Sequence, residues 1–404
     1  MKLTIQKILA VLVVVLLVAE IIHASKLNQK DSVTLAEERP LLIWYTDPAA
    51  AQYGVQVETE LVSEVDYIEN ISERSVAETM TGPDLYVLGS SQMEKAALAG
   101  LTDQLDDKQM ADTYSEKAVH AVTYDGKVMA YPFYVETSVL LYNRYYADEA
   151  PATIDAILDY SENYEASEVT AKVENMFEWN VADVIENYMF LGGYTDLGGE
   201  DGDDKSQVSM DLDKAVECMM YYQSLNSFFA LDADTITSDE IIQDFIDGKT
   251  VFAIANASMI GKLDEAIANG EIPEYPTERT VTDENGEEQT EELNFDPFYV
   301  AAPLPDLTND LETGGLSVTN AIAVNPYSVN RDAAAAIARY LTEKNVGSLY
   351  EMTSKIPACQ SLAEAPTPAW DAVCEAYDKA AEVPKIMELS DMWLHLEATM
   401  ADIW

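Results

Sequence analysis

Glu136 stands between an apolar run broken by Pro132 and a second, strand-like run, Val139 to Tyr142. A carboxylate so placed is costly to bury unless it meets a partner or a ligand. A tight turn at Asp125-Gly126 opens this stretch, with glycine supplying the left-handed conformation. Other polar residues gather where strand-like runs end: Thr46 and Asp47 after Leu41–Tyr45, and Ser90, Ser91 and Gln92 after Asp84–Leu88. Asn256 and Ser258 follow the turn and strand that start at Asp247-Gly248. Two chemistries suit such a set. Carboxylates and amides take hydroxyl hydrogen bonds of defined geometry. Alternatively, two carboxylates about 5–9.5 Å apart hydrolyse a glycosidic bond. Asp47 and Glu136 would form that pair, yet no hydrolase motif surrounds them. The sequence also has no G-x-S-x-G, no P-loop and no H-E-x-x-H. Plainer readings stand beside these: Asp47 as a helix cap, Glu136 paired with Arg144 or a backbone amide, and the Ser, Gln and Asn residues as ordinary caps and turns.

The elements that must position these groups read as alternating strands and helices. Leu41–Tyr45 and Asp84–Leu88 are buried strands, and Met93–Leu98 is a helix stopped by Gly100. Such alternation predicts α/β layers around mainly parallel sheet, with ligands outside the carboxyl ends of the strands. Residues 150–270 are mostly helical. Asp211–Leu225 repeats apolar residues at three- and four-residue steps, and Ser238 with Glu240 marks a capped helix. Asn285-Gly286 between polar arms predicts an exposed hairpin. From Asp332 the chain is helical again.

The 404 residues carry 73 acidic and 23 basic side chains, a net charge of −50. That excludes a nucleic-acid face and adsorption to anionic lipid. Three cysteines without C-x-x-C spacing and three scattered histidines predict no zinc site and no other metal or cofactor. Cys359 and Cys374 leave a disulfide open. Lys2 and Lys7 ahead of Ile8–Ala19 read as an export signal over residues 1–24. It is either cleaved after Ala24 or kept as an anchor, with residues 25–38 as a polar tether.

Several segments in order resemble the extracellular solute-binding proteins of the maltose-binding type. They are Pro83–Val87, Gly100–Leu105, the hinge-like run from Tyr124 to Asn143, Asp247–Phe252, Ala302–Pro305, and Gly315–Asn325 followed by Arg331–Ala334. The resemblance spans 41–404. It implies a two-lobe periplasmic-binding-protein-like fold, each lobe a mainly parallel sheet flanked by helices, with the ligand between them. The implied lobes are 39–135 with 301–328, and 136–300 with 329–404. It implies a non-enzymatic receptor, exported, monomeric and without cofactor, that delivers an oligosaccharide to the permease of an ABC importer. Its ligand set would be Asp47, Ser91, Gln92, Glu136, Asn256 and Ser258, with Trp179 and Trp393 either stacking on sugar rings or simply buried in the core. Relatives often have a tryptophan near Ser258, and this chain has none there. A same-fold receptor for a polyamine is the alternative, since acidic and aromatic groups bind amines. A glycoside hydrolase is the third reading.

Overall fold

The computed structural model describes residues 40–47, 57–63, 66–77, 81–105, 110–167, 169–282, 288–358 and 368–404. The leader and tether readings, Cys359 and the Asn285-Gly286 turn lie outside them.

Ten strands share one mixed sheet. In chain order they are β1 (Leu42–Tyr45), β2 (Glu58–Leu61), β3 (Leu85–Gly89), β4 (Tyr131–Asn143), β5 (Asn175–Glu178), β6 (Thr250–Asn256), β7 (Tyr299–Ala302), β8 (Leu316–Val324), β9 (Ile356–Pro357) and β10 (Ala381–Glu382). The main order is β2-β1-β3-β8-β4-β6-β5. Pairing is parallel around β1, between β6 and β5 and between β8 and β10, and antiparallel along β4 and between β3 and β8.

β4 organises the molecule. Buried side chains on both faces of its 13 residues produce the near-continuous apolar run seen in the sequence. Its first half, through Thr137, pairs with β8. Its second half, from Ser138 to Asn143, pairs with β6 and β7. One strand therefore belongs to two bodies, which divide at Thr137-Ser138. Glu136 stands one residue before that division.

The chain crosses between the bodies twice more. After β7 it returns to β8, and Gly314 there lies against Gly192 of the second body. A Cβ on Gly192 would fall 1.8 Å from the Gly314 carbonyl oxygen, so only glycine fits. After β10 the chain passes back to helix Ser390–Ile403, whose Met400 is buried in the second core. Residues 356–357 and 381–382 lie on the first body's sheet, beside Val135 and Leu316. The stretch 329–404, expected whole in the second lobe, is thus divided between the two.

One core packs Trp44, Tyr86 and Ile322 and continues across β4 to Phe245 and Phe298. A second gathers Phe177, Trp179, Phe190, Tyr222 and Met400. The helix Leu212–Phe229 turns Ala215, Cys218, Tyr222 and Leu225 inward, as the three- and four-residue steps predict. The helix Ser238–Ile246 is capped one residue earlier than expected. Thr237 accepts from the Glu240 amide and Glu240 accepts from the Thr237 amide, because a capping box needs that three-residue spacing. The predicted hairpin forms between Glu278–Thr282 and Glu288–Glu292.

Candidate functional site

A cavity of about 450 Å³ opens where β4 divides. The first body contributes Thr46, Asp47, Tyr134, Glu136, Leu316, Val318, Asn320 and Lys355 to its lining. The second contributes Asp183, Ile185, Glu186, Asn256 and Ser258. Asp47 is two residues past β1 and Asn256 ends β6, so both stand at carboxyl ends of strands.

Lys355 is the centre of the polar wall. Its Nζ lies 2.8 Å from Asp47 Oδ2 and 2.8 Å from Glu136 Oε1, and 5.1 Å from the centre of the Tyr134 ring. The Tyr134 hydroxyl donates to Asp47 Oδ2 at 3.4 Å. Burial works against the Lys355 charge, but the two carboxylates outweigh it and hold the ammonium above its ordinary pKa. Burial pushes the Glu136 carboxyl up, and Lys355 opposes that shift. Glu136 Oε2 is buried and makes no well-formed hydrogen bond, although the Ser258 backbone amide also acts on this carboxyl; a fully unmet acceptor would cost about 1–3 kcal/mol.

The facing wall rests on two helix starts. Asp183 Oδ1 accepts from the Ile185 and Glu186 amides at 2.8 and 3.0 Å. Asn256 Oδ1 accepts from the Met259 amide at 3.2 Å and from the Ser258 hydroxyl at 2.6 Å. Burial, then the Asp183 charge, raise the Glu186 carboxyl to about 8, so it is largely protonated at neutral pH. Its Oε2 accepts from the Asn180 amide at 2.9 Å. Leu316, Val318 and Ile185 supply an apolar strip beside these groups.

Of the eight expected site residues, four line this cavity: Asp47, Glu136, Asn256 and Ser258. Glu136 pairs with Lys355, and Asn256 caps a helix as well as lining the cavity. Ser91 and Gln92 occupy the turn Ser90–Gln92 and are not part of the lining. Trp179 is a correction. It follows β5 outside any helix and is fully buried among Phe177, Phe190 and Phe229, its indole N–H donating to Asn187 at 3.0 Å. An aromatic flanked by Phe177 and Val181 gains more from the core than from the cleft. Trp393 is half-buried on Tyr188, 5.9 Å between ring centres, in a small cluster that includes Val318 and Ile185. It backs the lining without being part of it.

Lys355, Tyr134, Glu186 and Asn320 escaped the sequence reading. Tyr134 and Glu186 carry legible signals, one within two residues of Glu136 and the other three residues after a capping Asp. Among the described residues no group of His, Cys, Asp and Glu could hold a metal ion, and no helix is long and apolar enough to cross a membrane.

Residues 44–376 match the family model described as bacterial extracellular solute-binding protein. The maltodextrin-binding protein MdxE of Bacillus subtilis (strain 168) is 22% identical over 375 residues, covering 87% of this chain and 82% of that protein. The galactooligosaccharide-binding protein of the same organism is 24% identical over 336 residues, 80% of this chain and 72% of the relative. The maltose-binding periplasmic protein MalE of Listeria monocytogenes, solved with maltose, superposes with a TM-score of 0.68 at 22% identity, covering 91% of this chain and 92% of that one.

Proposed function

Since the chain belongs to the bacterial extracellular solute-binding proteins, we propose that it captures an oligosaccharide between its two bodies and hands it to the permease of an ABC importer. The observation that carries this reading is Glu136 Oε2, a buried acceptor without a well-formed hydrogen bond, in a cavity built from both bodies. A sugar hydroxyl supplies the missing donor, and its C–H faces suit the strip of Leu316, Val318 and Ile185. Relatives named for maltodextrin and galactooligosaccharide binding support the ligand class. The binding set is Asp47, Glu136, Asn256 and Ser258, joined by Tyr134, Glu186, Asn320 and Lys355, with Trp393 behind the wall.

Binding closes the bodies about β4 without covalent change to the sugar. A hydrolase would place its scissile bond between two carboxylates. Here Lys355 Nζ contacts both Asp47 and Glu136 and fills that position. The reading includes export by residues 1–24, as cleaved leader or anchor, a tether over 25–38, and a monomeric receptor. Calorimetry against a panel of malto- and galacto-oligosaccharides tests it, with small-angle scattering on the same samples. Saturable binding with a smaller radius of gyration is expected. Release of cleaved sugar on long incubation would move the protein to the enzyme class.

A further inference from the structure

Resting on that sugar-binding reading, we propose that Lys355 selects the ligand by charge: its ammonium fills the place a cationic ligand group would take, so the cleft favours neutral polyhydroxylated molecules over amines and acids.

Lys355 arrives on the short segment between helix Gly347–Thr353 and β9, where its amide donates to Thr353 Oγ1 at 3.2 Å. Its side chain is 9% exposed, so the charge is largely withdrawn from water. With 2.8 Å contacts to two carboxylates and the Tyr134 ring beneath it, the ammonium is already neutralised twice over. A ligand carboxylate would have to compete with Asp47 and Glu136 for it.

A ligand amine fares no better. Asp47 and Glu136 are engaged by Lys355, and an incoming ammonium beside either would face a like charge at close range. On the opposite wall the Asp183 oxygen that accepts from the Ile185 and Glu186 amides is spent on a helix start. Glu186 is largely protonated at neutral pH. What remains is the second Asp183 oxygen and Glu136 Oε2, both open to a hydroxyl donor. A hydroxyl meets that need without bringing charge.

Lys355→Met removes the resident cation and keeps most of the apolar stem. The test titrates the full chain and this variant with the malto- and galacto-oligosaccharide panel, with spermidine and with an oligogalacturonate, at low and raised salt. The wild type is expected to bind a neutral sugar and neither charged probe. The variant is expected to bind that sugar about tenfold more weakly or worse. It is also expected to gain spermidine binding that weakens as salt rises. A folded variant that keeps its sugar affinity and ignores spermidine would overturn the role of Lys355 and leave the sugar reading intact. A wild type that binds spermidine and no sugar would overturn both. Should Lys355→Met fail to fold, Asp47→Asn/Lys355→Met removes one charge of each sign. That double variant must then bind spermidine, and its indifference would overturn the proposal.

Discussion

The indole of Trp404, the last residue, meets that of Trp179 edge to face, with 5.2 Å between ring centres and 79° between planes. The Trp404 indole N–H also donates to the Leu231 carbonyl at 2.8 Å. Helix Ser390–Ile403 is thereby tied into the second core through Trp404, next to a tryptophan that the sequence leaves open between cleft and core.

Trp179→Ala should therefore lower stability by about 3–5 kcal/mol, as large-to-small core changes do. Trp404→Ala, at a partly exposed position, should cost less, roughly 2 kcal/mol. Denaturant melts measure both. Sugar affinity should be unchanged in the folded fraction. A Trp179→Ala protein of normal stability that has lost its ligand would return this residue to the binding site.

Glu186 gives stability a pH dependence. Its carboxyl is raised to about 8 in the folded chain against an ordinary value of 4.5, so the folded state holds a proton that the unfolded state has released between those values. Stability from this group is full below about pH 4.5, falls as pH rises through that window, and levels off above about 8. Glu178, raised to about 7 mainly by burial, adds to the same slope. Glu186→Gln should flatten the wild-type decline by up to about 1.4 kcal/mol per pH unit. Melts at intervals from pH 5 to 9 make the comparison, and parallel curves for the two proteins would remove Glu186 from the account.

Glu136→Gln keeps the shape of the side chain and removes its charge. The lost acceptor should weaken sugar binding by about 1–3 kcal/mol with little change in melting temperature. Asp47→Asn should act in the same direction. Trp393→Ala should separate from both: losing its contact with Tyr188 should lower the melting temperature and reduce affinity only a few-fold. A large affinity loss at unchanged stability would instead put Trp393 in direct contact with a sugar ring.

Gly192→Ala and Gly314→Ala should each be severely destabilising, about 4 kcal/mol, since the new methyl group meets backbone rather than a side chain able to move. Thermal melts check this. A stable Gly192→Ala protein would mean that the two bodies can separate at this crossing.

Much of the frame was legible. Glu136 is legible as a cavity-lining residue because a carboxylate between two buried strand segments needs a reason, and Asp47 because polar residues at strand ends in α/β sheets face the cleft. Lys355 was not. It sits 219 positions from Glu136, in a Ser-Lys-Ile-Pro segment without a local pattern, and only the return of β9 to β4 brings the two together. For Trp179 the sequence leaves cleft and core open, because a resemblance in position says nothing of which way a side chain faces. Its apolar neighbours Phe177 and Val181 were the better guide.

The sharing of β4 between two bodies also bears on how the chain reaches its native state. Its partners are remote: Tyr134 lies beside Asn320 and Leu140 beside Ile254, and elsewhere in the first body Ser90 donates to Glu382 across 292 positions. Such non-local pairing makes loop closure the costly early step and slows folding. The β10 contribution to the first body's sheet and the Met400 contribution to the second core both come from beyond residue 380, far from the strands they join. Neither body can therefore complete its packing from one contiguous stretch of chain.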